Sequence, residues 1–279
     1  MLEAVGAEWR KLWGARRVTW TVLAALPVLL VVIYAAVQTY QMLNGKPPSP
    51  RGGGDPAAWA AGTLTVWALV QNLGWLLAAA WAATAFGGEY RWNTLKLIVP
   101  HRGRLQIIAA KYVVVVLGLA ASLVVFGLLA ILLQLLDGVL DGTGVPAGVD
   151  WGALLGRHAA IWAQSLLAMS LVAAYAALAS VILRSTAGGI VVSVVLFIVL
   201  SLPGVLWVQL SAMAYRLSPA HAVPNLGAWA TAGRAQPVPL PAGGGLLADG
   251  WLTSLGVAGV WLIGLAALAA LIFRRQDFN

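Results

Sequence analysis

Residues 112–136 read YVVVVLGLAASLVVFGLLAILLQLL, a run of 25 residues without one charged side chain. A helix needs about 20 apolar residues to cross a bilayer, because the hydrocarbon core is about 30 Å thick and a helix rises about 1.5 Å per residue. The run is therefore long enough to be a transmembrane helix. It predicts lipid, rather than water, as the solvent of this part of the chain.

Five further apolar stretches have the same character. Only 9% of the 279 residues are charged and the mean hydropathy is +0.87, whereas a soluble domain carries about 25% charged residues. We therefore predict one all-α membrane domain, residues 1–279, with six transmembrane helices. The absence of cysteine excludes disulfides and thiolate metal sites. The predicted spans are residues 18–40, 57–86, 112–136, 159–183, 187–210 and 251–273.

Two details of these spans are unusual. The second is longer than a bilayer requires, which predicts either a tilted helix or an interfacial turn near Trp59. The fourth and fifth are separated only by Arg184, Ser185 and Thr186. A single helix through both would place Arg184 at the membrane centre, which is costly. We therefore expect a tight helical hairpin at this point.

Basic residues lie mainly on one side of the predicted spans. If successive connecting segments alternate between sides, twelve of the 17 Lys and Arg residues fall on the same side. Cytoplasmic segments carry the excess of Lys and Arg, so both termini are expected in the cytoplasm. The net charge of +8 is then explained by basic residues that contact anionic lipid headgroups. No nucleic-acid partner is therefore expected. The twelve are Arg10, Lys11, Arg16, Arg17, Arg91, Lys96, Arg102, Arg104, Lys111, Arg184, Arg274 and Arg275.

Residues 1–17 predict a separate amphipathic helix. Arg10 and Lys11 fall mostly on its polar face, and a helix of this kind lies in the plane of the membrane. A plain cytoplasmic tail is the alternative. The apolar face carries, at helical spacing, Leu2, Val5, Trp9, Leu12 and Trp13.

The longest predicted outward loop spans residues 211–250. Its first part, SAMAYRLSPAHAVPNLGAWA at residues 211–230, is apolar for a loop in water. This composition predicts a short helix that dips into the outer leaflet, since irregular backbone at that depth would need burial in protein or contact with water.

Polar side chains inside the spans are few and carry no charge. Trp67, Gln71 and Trp75 recur at helical spacing in the second span, Asn72 lies beside them, and Gln164 lies in the fourth. Such amides either hydrogen-bond between helices or line a translocation pathway. The absence of ionisable groups at mid-membrane argues against an ion-coupled carrier.

Signatures of catalysis are weak. The chain has no G-x-x-x-x-G-K-[ST] sequence, so it does not hold nucleotide in a P-loop. Its three histidines lack the spacing of metal ligands, and no metal site is expected. Asp137 and Asp141 are four residues apart and could share one face of a helix. This spacing leaves open a metal-dependent transferase that acts on a phospholipid-like substrate. A solvated turn after the third span is the plainer interpretation.

The most specific segment is FGGEYRWNTLKLIVPHRGRLQIIAAK at residues 86–111, which is charged and predicted to face the cytoplasm. It resembles the first intracellular loop of type-2 ABC exporter permeases in Gly88, Glu89, Thr94, Pro100 and Lys111. Asn93 stands where a glycine often precedes the threonine. Either Arg102 or Arg104 corresponds to the arginine of that loop. The layout of six spans, amphipathic N-terminus and long outward segment is also similar.

This resemblance implies that the chain is the membrane subunit of an ABC exporter in a prokaryotic inner membrane. Two such chains, as a homodimer, would form the pathway for an amphiphilic drug, peptide, lipid or natural product. Two separate ATPase subunits would bind ATP and Mg²⁺, so the chain itself is no enzyme and carries no cofactor. They would push on a coupling helix within residues 87–110. The residues that the resemblance assigns to this contact are Glu89, Arg91, Trp92, Thr94, Lys96, Pro100, Arg102 and Arg104.

A third interpretation is a membrane anchor that recruits a cytoplasmic partner through the same loop without transport. Copurification of a partner in the absence of ATP-dependent flux distinguishes it from an exporter.

Overall fold

The computed structural model describes residues 2–14, 16–44, 54–91, 103–140, 142–201, 212–239 and 246–276. The fold is predominantly helical, with one antiparallel pair of two-residue strands that joins Val238–Pro239 to Leu246–Leu247. The helices are α1 Leu2–Gly14, α2 Arg16–Leu43, α3 Pro56–Thr65, α4 Trp67–Arg91, α5 Arg104–Leu140, α6 Trp151–Leu183, α7 Thr186–Ser201, α8 Ala212–Arg216, α9 Pro219–Ala232 and α10 Trp251–Arg275; the strands are β1 and β2 in the same order.

The described helices include five segments that are long and apolar enough to cross a membrane. They are Leu23–Gln41 in α2, Pro56–Tyr90 across α3 and α4, and the whole of α5, α6 and α10. The predicted span at 187–210 corresponds to α7, whose 16 residues are too few to count among them. Residues 202–211 lie outside the described residues, so the prediction of six spans is confirmed only as far as five.

The second predicted span is interrupted at Val66, between α3 and α4. The Thr63 hydroxyl donates to Ala60 O at 2.7 Å and the Thr65 hydroxyl to Gly62 O at 2.8 Å. Such local bonds compete with the backbone ladder of a helix. The interfacial turn expected near Trp59 is wrong, because Trp59 lies within α3 and is 3% exposed.

The predicted hairpin between the fourth and fifth spans is confirmed. Arg184 ends α6 in the left-handed conformation, with φ of 53°, and its side chain is exposed. The next residue starts the following helix, because the Ser185 hydroxyl accepts a bond from Gly188 N at 3.2 Å. The chain therefore reverses within two residues.

The core of the bundle lies where α4 packs against α6 and α7. Ala79 and Ala83 on α4, and Ala176 and Ser180 on α6, are completely buried. A Cβ atom added to Gly189 of α7 would lie 3.2 Å from the Cβ of Ala83 and would overlap the hydroxyl of Ser180. These small side chains let the three helices approach closely.

The long segment after α7 contains the helix that its apolar composition predicts. Helix α9 begins with a Ser218 cap, whose side chain accepts a bond from His221 N, and ends at Gly233 with φ of 65°. It packs against α6 and α10. The buried Asp249 carboxylate holds it there, since it lies 3.0 Å from Nε2 of the buried His221. The same carboxylate lies 2.6 Å from the more exposed Arg216 guanidinium of α8.

Candidate functional sites at the charged end and inside the bundle

Four charged side chains from three helices alternate in sign at one end of the bundle. We call this group, formed by Glu8, Lys11, Glu89 and Lys111, the ionic quartet. The Lys11 ammonium lies 2.6 Å from Glu8 Oε1 and 2.8 Å from Glu89 Oε1. The Lys111 ammonium lies 3.3 Å from Glu8 Oε2 and 3.1 Å from Glu89 Oε2. Each charge therefore has two neighbours of opposite sign, and the quartet joins α1, α4 and α5.

Burial makes the quartet sensitive to the loss of Lys111. Lys111 is only 5% exposed, and its third strong contact is a hydrogen bond to Ala85 O at 2.7 Å. Burial alone would lower the pKa of Lys11, but its bonds to Glu8 and Glu89 outweigh this effect and the pKa is raised. Removing one partner of a buried pair leaves an uncompensated charge, which costs about 3–5 kcal/mol.

The quartet also fixes how α1 lies on the bundle. The buried positions of α1 are Ala4 and Glu8, on the face that meets α5. The apolar face that is predicted to lie on the membrane is not the face that packs against α5: Leu2 is 88% exposed, while Val5 and Trp9 are half-buried. Helix α1 is thus tied to the protein by its charges. The side chain of Trp13 lies outside the described residues, and Arg10 is exposed.

Two further helices, α6 and α10, meet α4 and α5 near the quartet. The Arg104 guanidinium donates to Arg274 O at 2.6 Å and to Gln276 O at 2.7 Å, and so caps the C-terminus of α10. The Gln276 amide accepts a bond from the Tyr90 hydroxyl at 2.7 Å and donates to Val181 O at 2.7 Å. The ends of α4, α6 and α10 and the beginning of α5 are therefore held together by Arg104 and Gln276.

A cavity of about 700 Å³ opens within the bundle, between α4, α6 and α9. Three of the five predicted pathway residues, Gln71, Trp75 and Gln164, are among its walls. A Cβ atom added to Gly227 of α9 would overlap the Gln164 side chain, so α9 closes tightly over this amide.

The other two predicted pathway residues are placed differently. Trp67 is fully buried; its indole N–H donates to His158 Nδ1 at 3.0 Å, and its ring packs edge-on against Phe126. Because Nδ1 accepts this bond, Nε2 carries the proton and donates to the Thr63 hydroxyl at 3.0 Å. Asn72 is exposed and bonds to Ala68 O within its own helix. Neither residue lines the cavity.

Comparison with known families decides the class of the molecule. The family model described as ABC-2 family transporter protein matches residues 4–204. These include most of α1, the whole of α2 to α7, the quartet, and the α4 and α6 walls of the cavity. The chain belongs to the ABC-2 transporter family. It is thus a multi-pass membrane transport component, as the loop at 86–111 indicated. No curated protein and no solved structure matches it significantly.

Within this ABC-2 permease, the middle of the predicted coupling loop, residues 92–102, lies outside the described residues. This is true of Trp92, Thr94, Lys96, Pro100 and Arg102. The predicted bounds of the coupling loop, 87 and 110, are wrong, because residues 87–91 end α4 and residues 104–110 begin α5. The coupling helix predicted within the loop is not tested. The side chain of Arg91 is not described either.

Glu89 and Arg104 are the two residues of this predicted contact whose side chains are described. Glu89 bonds to the lysines of the quartet, and Arg104 bonds to the end of α10. Both charged groups are therefore engaged within the permease, one on each side of the loop. Their geometry suits residues that hold the loop in position.

The Asp137 carboxylate is not part of a solvated turn. Helix α5 continues to Leu140, and Asp137 is 3% exposed. Its Oδ1 accepts bonds from the Tyr34 hydroxyl at 2.5 Å and from the Gln38 amide at 2.6 Å. Asp141 lies outside the described residues. In the part of the chain that is described, no group of three or more His, Asp or Glu side chains is placed to hold a metal.

Sequence reasoning missed Glu8 and Gln276. Glu8 stands on the polar side of an amphipathic helix, where a charged residue is ordinary. Gln276 follows the last span among polar residues. What sets these positions apart is their distant partners, Lys111 for Glu8 and Tyr90 for Gln276. Nothing in the neighbouring sequence indicates these partners.

Proposed function

We propose that this permease exports an amphiphilic cargo across a prokaryotic inner membrane, driven by separate ABC ATPase subunits. Members of the ABC-2 family generally work with such subunits, and the family match is the observation that carries the proposal. ATP and Mg²⁺ are then held by the partner. The cargo class, the direction and the two ATPase copies belong to the proposal.

The distribution of charge supports an orientation with both termini in the cytoplasm. Arg104 bonds to the end of α10, and Lys111 bonds to Glu8 of α1. Segments near both termini thus contact the first two turns of α5, at one end of the bundle. This end carries most of the Lys and Arg, as the cytoplasmic side of a membrane protein does.

The ionic quartet suggests how work enters the permease. Residues 92–102 connect the end of α4 to the start of α5. The quartet joins these two helices close to that connection, because Glu89 lies within the last turn of α4 and Lys111 about two turns after the start of α5. A force on the loop reaches α1 through Glu8 and Lys11. In this proposal the ATPase presses on residues 92–102, and the quartet makes α1, α4 and α5 move as one body.

A second permease chain completes the proposed transporter. We infer a homodimer, because two ATPase subunits closing on ATP act most simply on two equivalent loops. The interfacial role of α1 is also part of the proposal, and the exposed Leu2 supports it.

Copurification tests the partnership. The tagged full-length chain is extracted from its native membrane with mild detergent, and the proteins that accompany it are identified. We expect a P-loop ATPase that remains bound through size-exclusion chromatography and hydrolyses ATP faster in the complex than alone. A stable partner with no ATP-dependent flux in vesicles would favour the membrane-anchor alternative. The absence of any ATPase would contradict the proposal.

A further inference from the structure

We propose that Arg184, Arg274 and Arg275 form a binding site for the phosphate of an anionic phospholipid, at the corner where the ends of α6 and α10 meet. The inference goes beyond the proposed function and does not rest on it, since a lipid binds with or without an ATPase. A general attraction between basic residues and anionic lipid involves all exposed charges of one end alike. A site, by contrast, depends on particular side chains.

The corner brings three arginines from two helix ends together. Gln276 Nε2 donates to Val181 O at 2.7 Å and so joins the end of α10 to the end of α6. Arg274 and Arg275 directly precede Gln276, and Arg184 follows Val181 by three residues. The three arginine side chains are exposed and form no ion pair among the described residues. An anion bound among them would relieve the repulsion between their like charges.

The one carboxylate on the helices around this corner is engaged elsewhere. Across the described helices α4, α6, α7 and α10, the only carboxylate is that of Glu89, and it bonds to Lys11 and Lys111. Asp277 lies outside the described residues, and its single carboxylate cannot neutralise three guanidinium groups. The corner therefore keeps a net positive charge that a ligand can balance.

The backbone at Arg184 is a second, independent observation. Its φ of 53° is left-handed, and no other non-glycine residue among those described has a positive φ. Glycine ordinarily occupies this position at the end of a helix, because it has no Cβ to clash. Residues that hold such a conformation at a cost cluster at functional sites. The turn itself does not require a guanidinium group, so we assign that group to binding.

The surroundings of the arginines give the class of ligand. Guanidinium groups match phosphate oxygens with paired hydrogen bonds. Ile182 and Leu183, which directly precede Arg184, are 53% and 48% exposed. Leu271, one turn before Arg275, is 52% exposed. A phospholipid fits both features, because its phosphate meets the arginines and its acyl chains lie along the apolar side chains.

Native mass spectrometry of the full chain in a neutral detergent tests the proposal. The probes are dioleoylphosphatidylglycerol and dioleoylphosphatidylcholine, which share phosphate and acyl chains but differ in net charge. We expect retention of phosphatidylglycerol to exceed that of phosphatidylcholine at least about tenfold, as one or two charge-assisted hydrogen bonds imply. Equal retention of the two lipids would overturn the proposal.

Inorganic phosphate distinguishes a lipid site from a site for a free anion. Phosphatidylglycerol should raise the melting temperature of the chain, because a ligand that binds the folded state stabilises it. Inorganic phosphate at the same concentration should leave the melting temperature unchanged, since it lacks acyl chains. An equal rise with inorganic phosphate would show that the acyl chains contribute nothing, and would contradict a lipid site.

Substitutions separate a site from a general attraction. Arg184→Gly removes the guanidinium and suits the left-handed backbone, so we expect an unchanged or higher melting temperature without lipid, together with about tenfold weaker retention of phosphatidylglycerol. Arg275→Gln should weaken retention similarly. The matched control is Arg10→Gln, which removes one exposed charge of α1 and should retain the lipid normally. Equal losses in Arg10→Gln and Arg184→Gly would show a general attraction and refute the site.

An acidic surface of the ATPase is the other partner that these arginines fit. If Arg184→Gly abolished copurification of the ATPase but retained phosphatidylglycerol, the arginines would belong to that protein contact and the proposal would fail. Retention of phosphatidylglycerol by a chain that copurifies with no ATPase would leave this inference standing and contradict only the proposed function.

Discussion

Lys111 is a charged residue beside the apolar run at residues 112–136, and its contacts explain how such a charge is stabilised. Its ammonium group is buried among Glu8, Glu89 and Ala85 O. Asp137 plays a similar part near the other end of α5, where Tyr34 and Gln38 donate to it. In both cases the partners come from other helices. Sequence reasoning places Lys111 and Asp137 just outside the span at residues 112–136, whereas both lie within the longer helix α5.

Substitution of Lys111 tests whether the quartet acts as a unit. Lys111→Gln leaves two carboxylates facing one lysine, and we expect it to lower the free energy of unfolding by about 3 kcal/mol. Glu89→Gln combined with Lys111→Gln removes one charge of each sign and should cost less than the sum of the single changes, by about 1–3 kcal/mol. Denaturant titration in detergent micelles measures both effects.

The control for this cycle is Arg10→Gln on the exposed side of α1, expected to change the stability by less than about 0.5 kcal/mol. Additive effects of Glu89→Gln and Lys111→Gln would show that the quartet is four independent surface charges.

At the scale of the elements, the close contact between α4, α6 and α7 depends on glycine and other small residues at the positions where the helices meet. Gly189 faces Ala83 and Ser180, and Gly87 is so close to α7 that an added Cβ would lie 2.7 Å from the backbone of Thr186. Helix α7 packs against α4 and α6. The close approach therefore fixes the position of the described part of α7.

Gly189→Ala should weaken this packing. The new methyl group has no space beside the Ser180 hydroxyl, and overpacking of this kind costs about 1–3 kcal/mol. Thermal unfolding of the purified permease measures the loss. Adding Ser180→Gly should recover part of the lost stability, because removing the Ser180 side chain makes space for the new methyl group.

The matched change Gly264→Ala lies on α10, where no atom is within 4 Å of the added Cβ. It should be neutral or stabilising by up to about 1 kcal/mol, because alanine favours helix. Equal destabilisation by Gly189→Ala and Gly264→Ala would contradict the packing argument.

At the scale of the whole molecule, sequence reasoning predicts the elements better than the sites. The apolar pattern predicts the C-terminal end of α6 at residue 183 and that of α10 within two residues, because it stops at Arg184 and Arg274. Helix α5 extends beyond its predicted bounds of 112 and 136 because Lys111 and Asp137 are neutralised by partners far along the chain. Gln71, Trp75 and Gln164 do share a cavity, whereas the spacing of Trp67 did not reveal its bond to His158.

The absence of cysteine makes the orientation of the molecule directly measurable. Single changes Gly103→Cys and Gly54→Cys place one thiol at each of two exposed positions. In intact cells, a membrane-impermeant maleimide should label the thiol at position 54 and reach the thiol at position 103 only after lysis. The opposite pattern would place the loop at 92–102 outside the cell and remove the contact with a cytoplasmic ATPase.

The central claim is that the permease moves its cargo with work supplied by a separate ATPase. The most direct measurement is accumulation of a fluorescent neutral amphiphile inside inside-out vesicles that contain the full chain, with and without its copurified ATPase. We predict accumulation only when both proteins and Mg²⁺–ATP are present, and its loss in Lys111→Gln vesicles of matched protein content. Accumulation by the permease alone, at the same rate with and without nucleotide, would contradict the account.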